Sequence, residues 1–195
     1  MTYEKEKLLL FYDTETSGMP HWSMPSDDPV QPHIVQLAAA LVGEKSRKTY
    51  QVINLTSKPS GWVIDPNTTR IHGIDNFMAQ DVGVSEKAVI SCFCLMVDRA
   101  DIHIAHNNNF DYRIIRIAIK RFIEPQAPGS CDEWKAMDKY CTMNNSQKKI
   151  NQKSLANCYQ FFTNKPLQGA HNAMIDVKAC MRVYFGLQDL GDTNV

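Results

Sequence analysis

Five apolar residues in a row, Leu8-Leu9-Leu10-Phe11-Tyr12, run directly into Asp13-Thr14-Glu15-Thr16-Ser17-Gly18. A continuous apolar run of this kind suits a β-strand buried on both faces, in a sheet flanked by helices. The two acids are then expected where that central strand runs out. Side chains alternate along a strand with period two, so Asp13 and Glu15 share a face. Two anions together at the edge of a core repel, and a divalent cation between them makes the arrangement favourable. The stretch also fits a plainer reading, a strand end with solvated acids and a Ser-Gly turn, and the short pattern alone does not separate the two.

At 195 residues the chain fits a single domain and is long enough to bury a core. Lys plus Arg and Asp plus Glu number 21 each. That balance argues against a protein that coats duplex nucleic acid through a global basic field, so any such contact must be local. No apolar window approaches the length of a membrane span, and residues 1–7 lack the character of a signal peptide, so a cytoplasmic location is expected. The six cysteines show no Cys-x-x-Cys spacing and read as reduced core thiols, although Cys131 and Cys141 with a histidine leave a zinc site conceivable.

Four prolines between Met19 and Pro32 make that segment a loop beside the acids. On it, Trp22 either packs down as an anchor or joins the methionines in an apolar ligand-contact surface. Residues 34–42 and 48–55 read as a hairpin, and Asp65-Pro66 as the start of a short helix that Gly73 ends. A helix from Ser85 to about Arg99, a strand over 101–106 and a helix over Tyr112–Phe122 follow. Trp134–Tyr140 reads as a short helix or turn before an edge strand near 141–143, and Asn144–Lys149 as a polar loop. The periodicity then predicts helices over Ser154–Phe162 and Asn172–Leu190. This order of elements gives an α/β domain with a mixed sheet.

Two downstream stretches give the first acids their meaning: His106-Asn107-x-x-Phe110-Asp111 at a strand-to-helix junction, and His171-Asn172-Ala173-Met174-Ile175-Asp176 at the start of the last helix. With Asp13-Thr14-Glu15-Thr16 they resemble the three ordered motifs of the DnaQ-like 3′-to-5′ exonucleases of the DEDDh type, and Ile71-His72-Gly73-Ile74 is similar to that family's His-Gly-Ile stretch. The resemblance implies a ribonuclease H-like fold, a central mixed β-sheet flanked by α-helices, as one exonuclease domain over 1–195 with a proline-rich loop at 19–33 and a short tail at 191–195. It implies two divalent ions, Mg2+ or Mn2+, with Asp13 bridging both, Glu15 and Asp176 completing one and Asp111 holding the other. His171 is then the general base for the attacking water. Phosphodiester hydrolysis needs such a set, because charge builds on the phosphate and leaving oxygens and a histidine can take a proton near neutral pH.

His171 and Asp176 cannot serve one site from a single continuous helix, since five residues turn through about 140°. Placing His171 on the loop after Gly169 removes the conflict. By the same resemblance Met19 and Ile74 wedge against terminal bases, with Trp22 as a further contact, and Lys148, Lys149 and Lys153 can either follow a phosphate backbone or stand solvated. His106 and Asn107 read as fasteners of their turn, and His33, His72 and His103 as structural or surface residues.

The expected activity is trimming of single-stranded or frayed DNA or RNA 3′ ends, releasing nucleoside 5′-monophosphates. The alternatives are a catalytically idle or partner-activated nucleic-acid-binding or polymerase-associated module, and an exoribonuclease specialised for RNA trimming. No membrane partner is expected, and nothing in the sequence indicates a polymerase or other protein partner.

Overall fold

The computed structural model describes residues 5–192. Three strands come first, β1 (Leu8–Thr16), β2 (Ile34–Gly43) and β3 (Thr49–Lys58), followed by α1 (Pro66–His72), α2 (Asn76–Val82), β4 (Val84–Ser85) and α3 (Glu86–Val97). Then come β5 (Ile102–Ala105), α4 (Asn108–Phe122), α5 (Ser130–Ala136), β6 (Asp138–Cys141), α6 (Thr142–Ile150), α7 (Leu155–Thr163) and α8 (Ala173–Asp192).

The strands form one six-stranded sheet in the order β4-β3-β2-β1-β5-β6, with β1 antiparallel to β2 and parallel to β5. Leu9, Leu10, Phe11 and Tyr12 have no exposed surface, as a strand covered on both faces requires. Alternation splits them between two cores. Leu10 and Tyr12 pack with Val89, Phe93, Ile114 and Ala118 of α3 and α4. Leu9 and Phe11 pack with Ala173, Val177, Cys180 and Tyr184 of α8. The result is a helix–sheet–helix sandwich.

Local chemistry fixes the element ends near the site. Asp65 caps α1 by accepting from the Asn67 N–H, Pro66 opens the helix, and Gly73 closes it with φ 76°, a left-handed conformation that costs glycine little. Ser154 caps α7 through the Asn157 N–H, and Asn172 accepts from the Ile175 N–H at the start of α8.

Several expectations need correction. β1 is not among them, since it runs through both acids and ends at Thr16, just past Glu15. Helix α4 begins at Asn108 rather than Tyr112, which places Asp111 in its first turn. Residues 142–150 form a helix and not a polar loop, because Thr142 and Ser146, four residues apart, make a buried face of small polar side chains. Helix α2 and the two-residue β4 had no counterpart in the sequence reading. The tail expected at 191–195 is helical through Asp192, and its last three residues lie outside the described ones.

The proline-rich loop is anchored by buried polar bonds, and Trp22 stays 57 % exposed instead of packing down. The Gln31 side chain, only 1 % exposed, accepts from the His21 N–H and donates to the carbonyls of His21 and Pro25. Arginines of α4 complete the clamp: Arg113 donates to Met24 O, Arg116 to Ser26 Oγ, and Arg121 to the carbonyls of Gln31 and Pro32. The basic side of α4 is therefore turned onto the loop. No described helix is long and apolar enough to cross a membrane.

Candidate active site

Strand β1 outruns its parallel neighbour. Its register with β5 covers only Leu9 to Phe11, so the edge beyond Tyr12 lacks a strand partner on that side. Helix α4 fills the gap with its first turn. One oxygen of Asp111, Oδ1, accepts from the Thr14 N–H at 3.0 Å and from Thr14 Oγ1 at 2.8 Å. An open strand edge is thus satisfied by a carboxylate and not by another strand, and Asp111 is fixed beside Asp13.

On the α8 side of the sheet, Gln36 of β2 lies opposite Glu15 and its Oε1 accepts the Ala173 N–H at 3.1 Å. This bond pins the first turn of α8, and Asp176 reaches the sheet one turn later. His171 lies on the preceding loop with φ 65°, after Gly169 with φ 71°. Its backbone N–H donates to Asp176 Oδ2 at 3.0 Å, while Asp176 Oδ1 is buried with no hydrogen-bond partner. Donor atoms of Glu15, His171 and Asp176 all lie within 4.8 Å of one another.

These groups line a cleft of about 430 Å3. Asp13, Glu15, Asp111, His171 and Asp176 all face it, with Met19, Ile71 and His72 along its lip and Phe110 and Leu155 as apolar walls. Burial, followed by the other carboxylates, raises Asp13 far above its ordinary pKa. Glu15 is pushed up to about 7 by burial and by Asp176. Asp111 is raised by burial despite its bonds from Thr14, and Asp176 by burial despite the His171 N–H. Four acids that resist ionising together, one with an unpartnered buried oxygen, form a site short of positive charge. All-oxygen donors with an adjacent imidazole fit Mg2+ or Mn2+. Among the described residues no other group of three or more histidine, cysteine or carboxylate donors comes together in this way, so Cys131 and Cys141 do not assemble the conceivable zinc site.

The apolar contacts are distributed differently from the expectation. Met19 stands 68 % exposed on the lip, but Ile74 is 5 % exposed, buried with Val35, Ile64 and Ala79, and does not line the cleft. The αL turn at Gly73 points Ile74 inward and leaves Ile71, 56 % exposed and three residues earlier on α1, at the cleft. Trp22 does not line it either. Lys148, Lys149 and Lys153 are absent from its walls, and Lys149 instead donates to the Leu187 carbonyl. His106 fastens its turn, with Nδ1 2.9 Å from Thr142 Oγ1 and Nε2 2.9 Å from Lys153 O, and burial lowers its pKa.

Thr14 and His72 were not read as site residues. The signal for Thr14 was its place between the two acids on the opposite face of the strand. For His72 it was the helix-ending Ile-His-Gly turn, where Nδ1 accepts the Ile74 N–H at 3.1 Å.

The sequence model of the RNase T family, described as an exonuclease, matches residues 10–184. No curated protein matches the chain in sequence. Among solved structures, the zinc-bound E. coli exonuclease I complex with single-stranded DNA is similar over 97 % of this chain, with a TM-score of 0.69 and 16 % identity. E. coli exonuclease I bound to a 5cy-dT13 oligonucleotide gives 0.74 and 17 % over 97 % of this chain, and exonuclease I from Methylocaldum szegediense 0.68 and 20 % over 94 %. The chain spans 42 %, 42 % and 40 % of those longer proteins, respectively. At such identities the likeness establishes a shared ribonuclease H-like fold. The family match over nearly the whole sequence establishes more, and on it the chain belongs to the RNase T exonuclease family.

Proposed function

We propose that the protein is a metal-dependent 3′-to-5′ exonuclease of the DEDDh type that shortens single-stranded DNA and releases nucleoside 5′-monophosphates. The observation that supports this reading is the convergence of Asp13, Glu15, Asp111 and Asp176 from three separate elements on one cleft, where Asp176 Oδ1 is buried without a partner and His171 lies on a loop beside Glu15 and Asp176. The single-stranded oligonucleotides bound by the exonuclease I structures support the choice of polymer.

Asp13, Glu15, Asp111 and Asp176 would hold two divalent ions. When bound, such ions neutralise charge on the phosphate and lower the pKa of water. The remaining work falls to the chain. His171 takes the proton from the attacking water at an imidazole nitrogen, which a neutral histidine can do near pH 7. Its backbone N–H holds Asp176 Oδ2, so the loop carrying the base and the helix carrying the acid are set relative to each other. Met19 and Ile71 receive the terminal base, and Phe110 and Leu155 keep the far wall dry. Hydrolysis breaks the bond between phosphorus and the 3′ oxygen of the preceding sugar, leaving the phosphate on the released nucleotide.

The test is degradation of single-stranded DNA and RNA labelled at the 5′ or the 3′ end, with Mg2+, Mn2+ or EDTA. A ladder from the 5′-labelled strand, abolished by EDTA, is expected. Asp13→Asn and His171→Ala should each lower the rate at least about 100-fold with the thermal midpoint retained, as for removal of a metal ligand or a general base. Intact polymer after incubation with folded, metal-supplied wild type would refute the enzyme reading and favour a nucleic-acid-binding module.

A further inference from the structure

Outside the cleft, a broad depression of the described surface lies between α7 and α8. One part, about 810 Å3, is walled by Phe161, Phe162, Lys178, Arg182 and Phe185, and closed at one side by Arg47 of the β2–β3 turn. A second part, about 460 Å3, shares Tyr159 and Lys178 with the first and extends under Lys165–Gln168 to Ile175. The two make one groove. Its inner end abuts the loop that carries His171, and Ile175 on its wall is the neighbour of Asp176.

The helical period explains the groove's composition. Lys178, Arg182, Phe185 and Asp189 are spaced four, three and four residues apart, so they form one stripe along α8, bordering the face that packs on β1, where the Phe185 ring lies 5.9 Å from that of Phe11. Gly186 leaves room for Phe162 to lie against the helix, since a Cβ there would come within 2.4 Å of the ring. Phe161 stays 50 % exposed beside it.

The charges are not balanced locally, although the chain is neutral overall. Arg47, Lys165, Lys178 and Arg182 face a single described carboxylate, Asp189, which is already paired with Arg47. Lys165, Lys178 and Arg182 are exposed and make no ion pair among the described residues. A groove with unneutralised cations and an exposed aromatic ring, that of Phe161, has the chemistry that grips a single-stranded polynucleotide, with phosphates on the cations and a base on the ring.

We propose that this groove is a second binding segment for the substrate strand, holding the part 5′ of the terminal nucleotides while the 3′ end lies in the cleft. The inference rests on the exonuclease reading for the strand's direction, but the groove's affinity for a polyanion stands apart from hydrolysis. From Ile175 to Asp189 the helix rises about 21 Å. At 3.4 Å per stacked nucleotide that is room for roughly six nucleotides. Binding and hydrolysis should therefore depend on substrate length, with a strand of about three nucleotides reaching only the cleft.

The experiment measures binding of fluorescent single-stranded DNA of 3 and 12 nucleotides in EDTA, where no hydrolysis occurs, to wild type and to Lys165→Ala/Lys178→Ala/Arg182→Ala. All three substitutions are at exposed positions outside the cleft. Wild type should bind the 12-mer at least tenfold more tightly than the 3-mer, and the triple variant should lose that advantage. Its slope of log K against log salt for the 12-mer should fall by about 2, the release expected from three phosphate contacts. With metal added, KM for the 12-mer should rise while kcat on the 3-mer is unchanged. Phe161→Ser should weaken the 12-mer without altering the salt slope. Equal binding of both lengths, or a variant with unchanged affinity and slope, overturns the proposal even where the cleft cleaves DNA. Length-dependent binding lost in the triple variant, with no cleavage under any metal, keeps the groove and removes the exonuclease reading. A change of sedimentation in Phe161→Ser with oligonucleotide binding intact would assign the groove to a second copy of the chain and also overturn the proposal.

Discussion

His103 has no exposed surface and stacks on Trp134 with ring centroids 4.3 Å apart, while its Nε2 has no hydrogen-bond partner. Burial, with Lys139 nearby, lowers its pKa from 6.5 to about 4. Between those values the unfolded chain takes a proton that the folded chain refuses. Stability therefore rises with pH across pH 4 to 6.5, and as pH falls through that window about 3 kcal/mol is lost. His103→Phe should remove this component, read as a flatter dependence of the urea unfolding free energy on pH. An unchanged slope would show that other groups carry it. At the same scale, the shared face of Asp13 and Glu15 and the loop position of His171 were legible because they follow from the strand period and the helical turn angle. Ile74 was not legible: which of two isoleucines flanking His-Gly meets the cleft is set by the φ of Gly73, and a motif does not state that angle.

Among the elements, α8 brings Asp176 to the site and depends on a bond from a strand. The Gln36 side chain is 7 % exposed and supplies the acceptor for the buried Ala173 N–H. Gln36→Leu leaves that N–H unsatisfied, at a cost of about 1–3 kcal/mol. It should also lower kcat more than it raises KM, because Asp176 is carried by the same helical turn. Chemical denaturation and steady-state kinetics on one preparation check both effects, and Gln36→Glu, which keeps an acceptor there, should recover more of the stability than of the activity beside Glu15. Long periodic elements such as α3, α7 and α8 were readable from sequence, but α6 was not. Its buried positions are Thr142 and Ser146, and hydrophobic periodicity does not register a helix whose inward face is hydroxylated. Helix α2 buries only Ala79, so it too presents no apolar stripe.

For the whole molecule, the loop between β1 and β2 is held by residues distant in sequence, and Gln31 is its centre. Gln31→Ala removes an amide that serves His21, Met24 and Pro25, and should destabilise the protein by about 2–3 kcal/mol. New cleavage sites within 19–31 should open to a nonspecific protease under native conditions. Protection equal to wild type would place the anchoring on the α4 arginines alone. Met19 stands at the start of this loop and on the lip of the cleft, so KM for a long strand should rise in the same variant.

By itself the sequence determined the α/β sandwich, the central strand and five of the ionisable residues that line the cleft, because period-two and period-3.6 patterning and ordered motifs are local properties of a chain. Only the tertiary structure decided how Asp111 meets Thr14 across an unpaired strand edge, how far the four carboxylates are driven from their ordinary pKa values, and that the α4 arginines face a loop while Lys165, Lys178 and Arg182 stay exposed with no ion pair among the described residues. Each of those depends on burial and on distances between residues remote in sequence. Such quantities come into being only when the helices close on the sheet.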